Sequence, residues 1–174
     1  EVKKINIIQW LENQKPCITF EKWLLQEIYP NISEHLEHVF QKDLIYGMTK
    51  LFETYFSTCK SVLLPICSYQ KNKFSNIYVY DIFDGVESWQ QMSHTLFDKY
   101  MSHMCDQVIL VFNQVWYKEN EEKINTNEKF KEKYIENYQK VLGGKQKKDV
   151  IYNKLRSLIV ENVKKNPKIA TIGS

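Results

Sequence analysis

Residues Ile77–Trp89 read IYVYDIFDGVESW, and whether they form helix or strand decides the fold. Ile77, Tyr80, Phe83, Val86 and Trp89 recur at every third position, the spacing of one helical face. Gly85 weakens a helix interior by about 1 kcal/mol but does not forbid it. The β-branched and aromatic content of Ile77–Phe83 argues locally for a strand. A strand needs partners, however, and the flanking sequence offers no other strand pattern. The segment is therefore assigned to a helix.

Upstream, Leu44, Met48, Leu51, Phe52, Tyr55, Cys59, Val62, Leu63 and Ile66 follow one another by one, three or four residues, and Asp43 stands ready to cap them. This predicts a long helix that Pro65 bends rather than ends. On that helix Cys59 and Cys67 lie about 12 Å apart, too far to share a disulfide or a metal, and read as small hydrophobes. Downstream, Leu96, Tyr100, Met104, Val108, Val111, Phe112 and Val115 predict a second long helix. It ends in the charged stretch Lys118–Lys123, read as a loop and the best domain boundary.

Toward the N-terminus, Ile5, Ile8 and Leu11 mark a short helix. Thr19 then occupies an N-cap position for Phe20, Trp23, Leu24 and Ile28, and Leu36, Val39 and Phe40 mark a third segment. Toward the C-terminus, Phe130, Tyr134, Tyr138 and Val141 predict a helix stopped by Gly143-Gly144. Asp149 caps a last one through Val163, ended by Pro167.

With only 5 Gly and 4 Pro in 174 residues, tight turns are few and an all-β fold is disfavoured. The expected fold is all-α, a bundle or repeat of about seven helices with two long central ones. Residues 1–120 are expected to form a helical repeat-like domain, and 121–174 a basic C-terminal helical hairpin. No apolar run approaches the ~20 residues of a membrane span, so no membrane partner is expected. Four cysteines without a Cys-x-x-Cys spacing suggest a reducing cytoplasm or nucleus, whereas Asn31-Ile32-Ser33 is a chance glycosylation triplet.

Few residues suggest chemistry. His35 and His38 could supply two metal ligands, but neither zinc-protease order surrounds them and a solvated face is the expectation. His103 and Cys105 sit two apart, which does not place them on one helical face. Gly143-Gly144-Lys145 follows a helix and lacks the upstream glycine of a phosphate loop. Pairs such as Asp81/Asp84 read as surface. No catalytic residue, metal or cofactor is assigned, and the chain is expected to be non-enzymatic. The net charge of +3 is small, but Lys145, Lys147, Lys148, Lys154 and Arg156 cluster among tyrosines, so nucleic-acid binding is the alternative function.

The order of segments resembles the cullin repeat. Ile18–Tyr29 (ITFEKWLLQEIY) looks like its second helix, Phe52–Phe74 (FETYFSTCKSVLLPICSYQKNKF) its fourth, and Ile77–Trp89 the start of its fifth. Glu122–Gly144 is similar to the opening of a next repeat. The resemblance implies a helical scaffold like the N-terminal fragment of a cullin in a ubiquitin-ligase complex, binding an adaptor protein through its second and fifth helices. The positions it designates are Phe20, Trp23, Leu24, Glu27 and Ile28, with Tyr78, Tyr80 and Ile82.

Overall fold

A computed structural model describes residues 5–58, 63–71, 73–165 and 172–173. Helix makes up 69% and strand 15%, so the fold is mixed α/β and the all-α expectation is corrected. The chain begins with β1 (Ile5–Asn6) and α1 (Ile7–Glu12). Next comes α2 (Phe20–Trp23), which runs on through a π-helical turn (Leu24–Ile28) and a 3₁₀ turn (Tyr29–Asn31) into α3 (Ile32–Gln41). Then follow α4 (Leu44–Thr58), β2 (Ile66–Lys71), β3 (Phe74–Phe83) and β4 (Val86–Gln91). α5 (His94–Val111) continues through a second π turn (Phe112–Trp116) into α6 (Tyr117–Thr126), ahead of α7 (Glu128–Val141), α8 (Lys148–Val163) and β5 (Ile172–Gly173).

The correction falls on the opening stretch. Ile77–Trp89 is a hairpin: β3 pairs antiparallel with β4 from Tyr78↔Gln91 to Phe83↔Val86. Asp84 (φ 52°) and Gly85 (φ 79°) make its two-residue turn, the positive-φ pair that twists a hairpin in the favoured sense. The second partner lies inside the supposed bent helix. α4 is assigned only to Thr58, and Pro65 immediately precedes β2, which pairs with β3 from Ile66↔Val79 to Lys71↔Phe74. Cys59 and Val62 lie outside the described residues.

β2 and β3 are covered on both faces over Ile66–Tyr69 and Ile77–Tyr80, which is why these runs carry no polar alternation. Ile66, Ile77 and Val79 face the main core, where they meet Phe20, Trp23 and Ile28, Met48 and Phe52 of α4, Met101 and Phe112, and Leu155 and Ile159 of α8. Cys67, Tyr69, Tyr78, Tyr80 and Trp89 face the other way, under Ile7, Ile8, Trp10 and Leu11 of α1. The result is a layered order of short helix, three-stranded sheet and helical body. Val141, Ile151 and Leu155 belong to the same main core as Phe20 and Phe52.

Asp43 caps α4 as the sequence suggests, whereas the expected Asp149 cap does not form: Lys147 holds the N-cap position of α8 and makes no side-chain capping bond. Asp43 Oδ1 accepts from Tyr46 N–H (2.7 Å) at the start of α4, and Ser93 and Asn127 cap α5 and α7. Gly143 (φ 102°) and Gly144 (φ 62°) turn the chain after α7, where the Gly144 N–H donates to Gln139 O (2.8 Å). The charged stretch Lys118–Lys123 is not a loop: it lies within α6 as solvated helix, with Ile124 turned inward. β2 is tied to α8, since Ser68 Oγ donates to Val160 O (2.9 Å) and Lys165 N–H donates to Ser68 O (3.0 Å).

Candidate functional site

Three elements converge on one carboxylate. Asp81 lies near the end of β3 on its core-facing side and is 4% exposed. Its Oδ2 accepts from Glu21 N–H (3.2 Å), in the first turn of α2, and from Tyr100 Oη–H (2.5 Å) on α5. Its Oδ1 accepts from the neighbouring Ile82 N–H (2.9 Å). Among the described residues Asp81 has no ion pair; a buried carboxylate is then costly unless dipoles surround it, and here a helix N-terminus and a hydroxyl do so. Asp81 thus caps α2 from a distance. Thr19 holds the N-cap backbone position, with φ −73° and ψ 159°, but makes no capping bond, and its buried Oγ1 meets no partner among the described residues.

Above this junction opens a cleft of about 530 Å³ between α2 and α5. Glu21, Leu24, Leu25 and Tyr29 form one wall. The other is the face of α5 bearing Leu96, Lys99, Tyr100, His103, Asp106 and Gln107, at the three- and four-residue spacing of one helical side. Asp81, Ile82 and Phe83 form the floor. The π turn shapes the first wall: its wide turn, closed by Tyr29 N–H to Leu24 O, buries Leu24 and Ile28 and leaves Leu25 55% exposed. Ile82 on the floor is 49% exposed.

The floor is also a strand end. β2 begins opposite Val79, so Asp81–Phe83 run past it, and among the described residues no strand pairs with them on that side. The phenols of the cleft are held protonated. Burial and then Glu21 push Tyr29 up to about 12, and burial followed by the bond to Asp81 raises Tyr100. Elsewhere burial pushes the Cys67 thiol up to about 12 and that of Cys105 up to about 11, which keeps both as unreactive thiols. Among the described residues no group of three or more His, Cys, Asp or Glu is placed to hold a metal ion.

The two segments that the cullin resemblance designates do meet, at the bond between Glu21 N–H and Asp81. Their apolar members turn inward. Phe20, Trp23, Leu24 and Ile28 lie in the main core, and Tyr78 and Tyr80 under α1, while Glu27 and Ile82 face solvent. Of the basic cluster, Lys145, Lys147, Lys148 and Lys154 are exposed around the start and outer face of α8. Arg156 is half-buried and donates from Nη2 to Ser75 O (3.3 Å) beside the sheet. His103 is exposed in the cleft, whereas Cys105 packs against the core. Asp81, which reads as surface in the sequence, is instead the buried hub. No protein-family model, curated protein or solved structure matches the chain.

Proposed function

We propose that this chain is a non-enzymatic protein-interaction domain whose α2–α5 cleft receives an extended segment of a partner protein. The observation that carries the reading is the cleft itself. Two exposed aliphatic side chains, Leu25 and Ile82, border a concave space whose floor is a strand end with no strand paired on one side among the described residues. Extended peptides bind such floors by adding main-chain hydrogen bonds, while apolar pockets select their side chains. The reading keeps the second helix and the segment after Ile77 as the proposed place of contact. Of the designated positions it keeps the exposed Ile82 and adds Leu25, because Phe20, Trp23, Tyr78 and Tyr80 are buried.

Panning a random-peptide display library on the folded chain tests this. Enriched peptides are expected to bind the native chain and to lose at least tenfold in affinity to a Leu25→Asp, Ile82→Asp variant with an unchanged circular dichroism spectrum. Absence of enrichment, or equal binding to that variant, refutes it.

Nucleic-acid binding is the second reading, supported by the gathering of exposed Lys145, Lys147 and Lys148 at the start of α8. Salt-dependent retention of DNA or RNA that Lys147→Glu and Lys148→Glu abolish would favour it over the cleft. Equal retention by that variant removes it.

A further inference from the structure

The histidine pair on α3 is not the solvated face that its sequence suggests. His35 and His38 are both half-buried against α4, where the His35 ring meets Tyr55 edge-on (6.3 Å) and the His38 ring meets Tyr46 edge-on (5.8 Å). The two imidazole centroids are 5.6 Å apart, with their planes inclined at 39°. Nδ1 of each ring is shielded from solvent and has no hydrogen-bond partner among the described residues.

Two orphaned ring nitrogens on one short arc of helix are unusual, because a buried polar atom without a partner costs about 1–3 kcal/mol. We propose that His35 and His38 together chelate one divalent late first-row metal ion, of the Zn²⁺, Ni²⁺ or Cu²⁺ type, through their Nδ1 atoms. The spacing fits such an ion. A metal about 2.0–2.1 Å from a ring nitrogen lies roughly 3.2 Å from the ring centre, so two rings on a tetrahedral ion have centroids about 5.2 Å apart. The observed separation exceeds that by a few tenths of an ångström, and because both Nδ1 atoms are shielded, the two rings must rotate to bring them onto one ion and open it to outside ligands.

A ring nitrogen must be free of its proton to bind a metal, so binding at the pair is expected to weaken as pH falls. Imidazole is a ligand type these ions favour over Mg²⁺ or Ca²⁺. The exposed Glu34 carboxylate next in sequence to His35 leans toward favouring a cation there. With two protein nitrogens, the remaining coordination positions go to water or to a group brought by another molecule. This site stands apart from the α2–α5 cleft and does not depend on it.

Isothermal titration of the intact chain with Ni²⁺ and Zn²⁺, each alone, tests the pair. One equivalent is expected to bind at pH 7.5, with affinity falling at least tenfold at pH 5.5. Either His35→Asn or His38→Asn should abolish this binding, since a chelate needs both rings, whereas His103→Asn should leave it unchanged. In parallel, imidazole ¹⁵N spectra of the wild-type chain should show the Nδ1 signals of His35 and His38 moving on Zn²⁺ addition. No binding at millimolar metal, binding that survives in both single variants, or ¹⁵N shifts confined to other histidines overturns the proposal.

Discussion

Replacing Asp81 by alanine tests the junction that shapes the cleft. The substitution removes three accepted hydrogen bonds, from Glu21 N–H, Tyr100 Oη–H and Ile82 N–H. The first two tie separate elements together, and bonds to a charged acceptor each contribute about 1.5–3 kcal/mol. Relief of the desolvation carried by a 4% exposed carboxylate offsets part of that loss. The expected net destabilisation is about 3 kcal/mol, of which loss of the α2 cap accounts for roughly 1 kcal/mol. Urea unfolding followed by helical circular dichroism reads it. With a slope of about 1–3 kcal/mol per molar, the midpoint should fall by roughly 1–3 M. Tyr100→Phe alone should cost less, about 1 kcal/mol, because Asp81 keeps Glu21 and Ile82. In the double variant the two losses should couple rather than add. A cost below about 0.5 kcal/mol for Asp81→Ala, within the range of ordinary surface changes, would refute the claim that this carboxylate organises α2, β3 and α5.

Thr19→Val should be neutral or slightly stabilising in the same urea assay, since the buried Thr19 hydroxyl meets no partner among the described residues and Asp81 does the capping. Gly47→Ala should destabilise by about 1–3 kcal/mol, because an added Cβ would overlap Val39 Cγ2 and come within 3.1 Å of the Val39 backbone nitrogen where α3 crosses α4. Thermal melts should lose stability as pH rises from about 9 through 12. Cys67 and Tyr29 are both raised to about 12 from ordinary values of 9.0 and 10.0, so the unfolded chain releases these protons first. On the acid side, His35 is lowered from 6.5, so its contribution is complete above pH 6.5 and declines as pH falls below that value, an effect that His35→Asn should remove.

Helices with one buried face were legible in the sequence. α3, α5, α7 and α8 follow their apolar spacing, and Gly143-Gly144 ends α7 as its composition suggests. The sheet was hidden for a physical reason. β3 is covered on both sides, so Ile77, Tyr78, Val79 and Tyr80 are all buried, and a run without alternation fits a buried helix equally well. β4 (VESWQQ) buries only Trp89 and reads as polar, and β2 merges with the apolar run before Pro65. One signal did mark the hairpin: Asp84-Gly85 between apolar runs is the two-residue turn pair. The cleft had no such signal. Asp81 acquires its role from Glu21, 60 residues away, and Tyr100, 19 residues away, and no local pattern encodes that meeting. Likewise the aromatic positions Phe20, Trp23, Tyr78 and Tyr80 have the composition of a binding face, yet the sheet that buries them was unseen.

The central claim is that the α2–α5 cleft binds an extended partner segment, and amide chemical-shift mapping with an enriched peptide tests it most directly. Perturbations are expected at Leu24, Leu25, Ile82 and Phe83 and along the face of α5 from Leu96 to Gln107, with little change in α8. Shifts centred on Lys145–Lys154, or scattered without relation to the cleft, would contradict it.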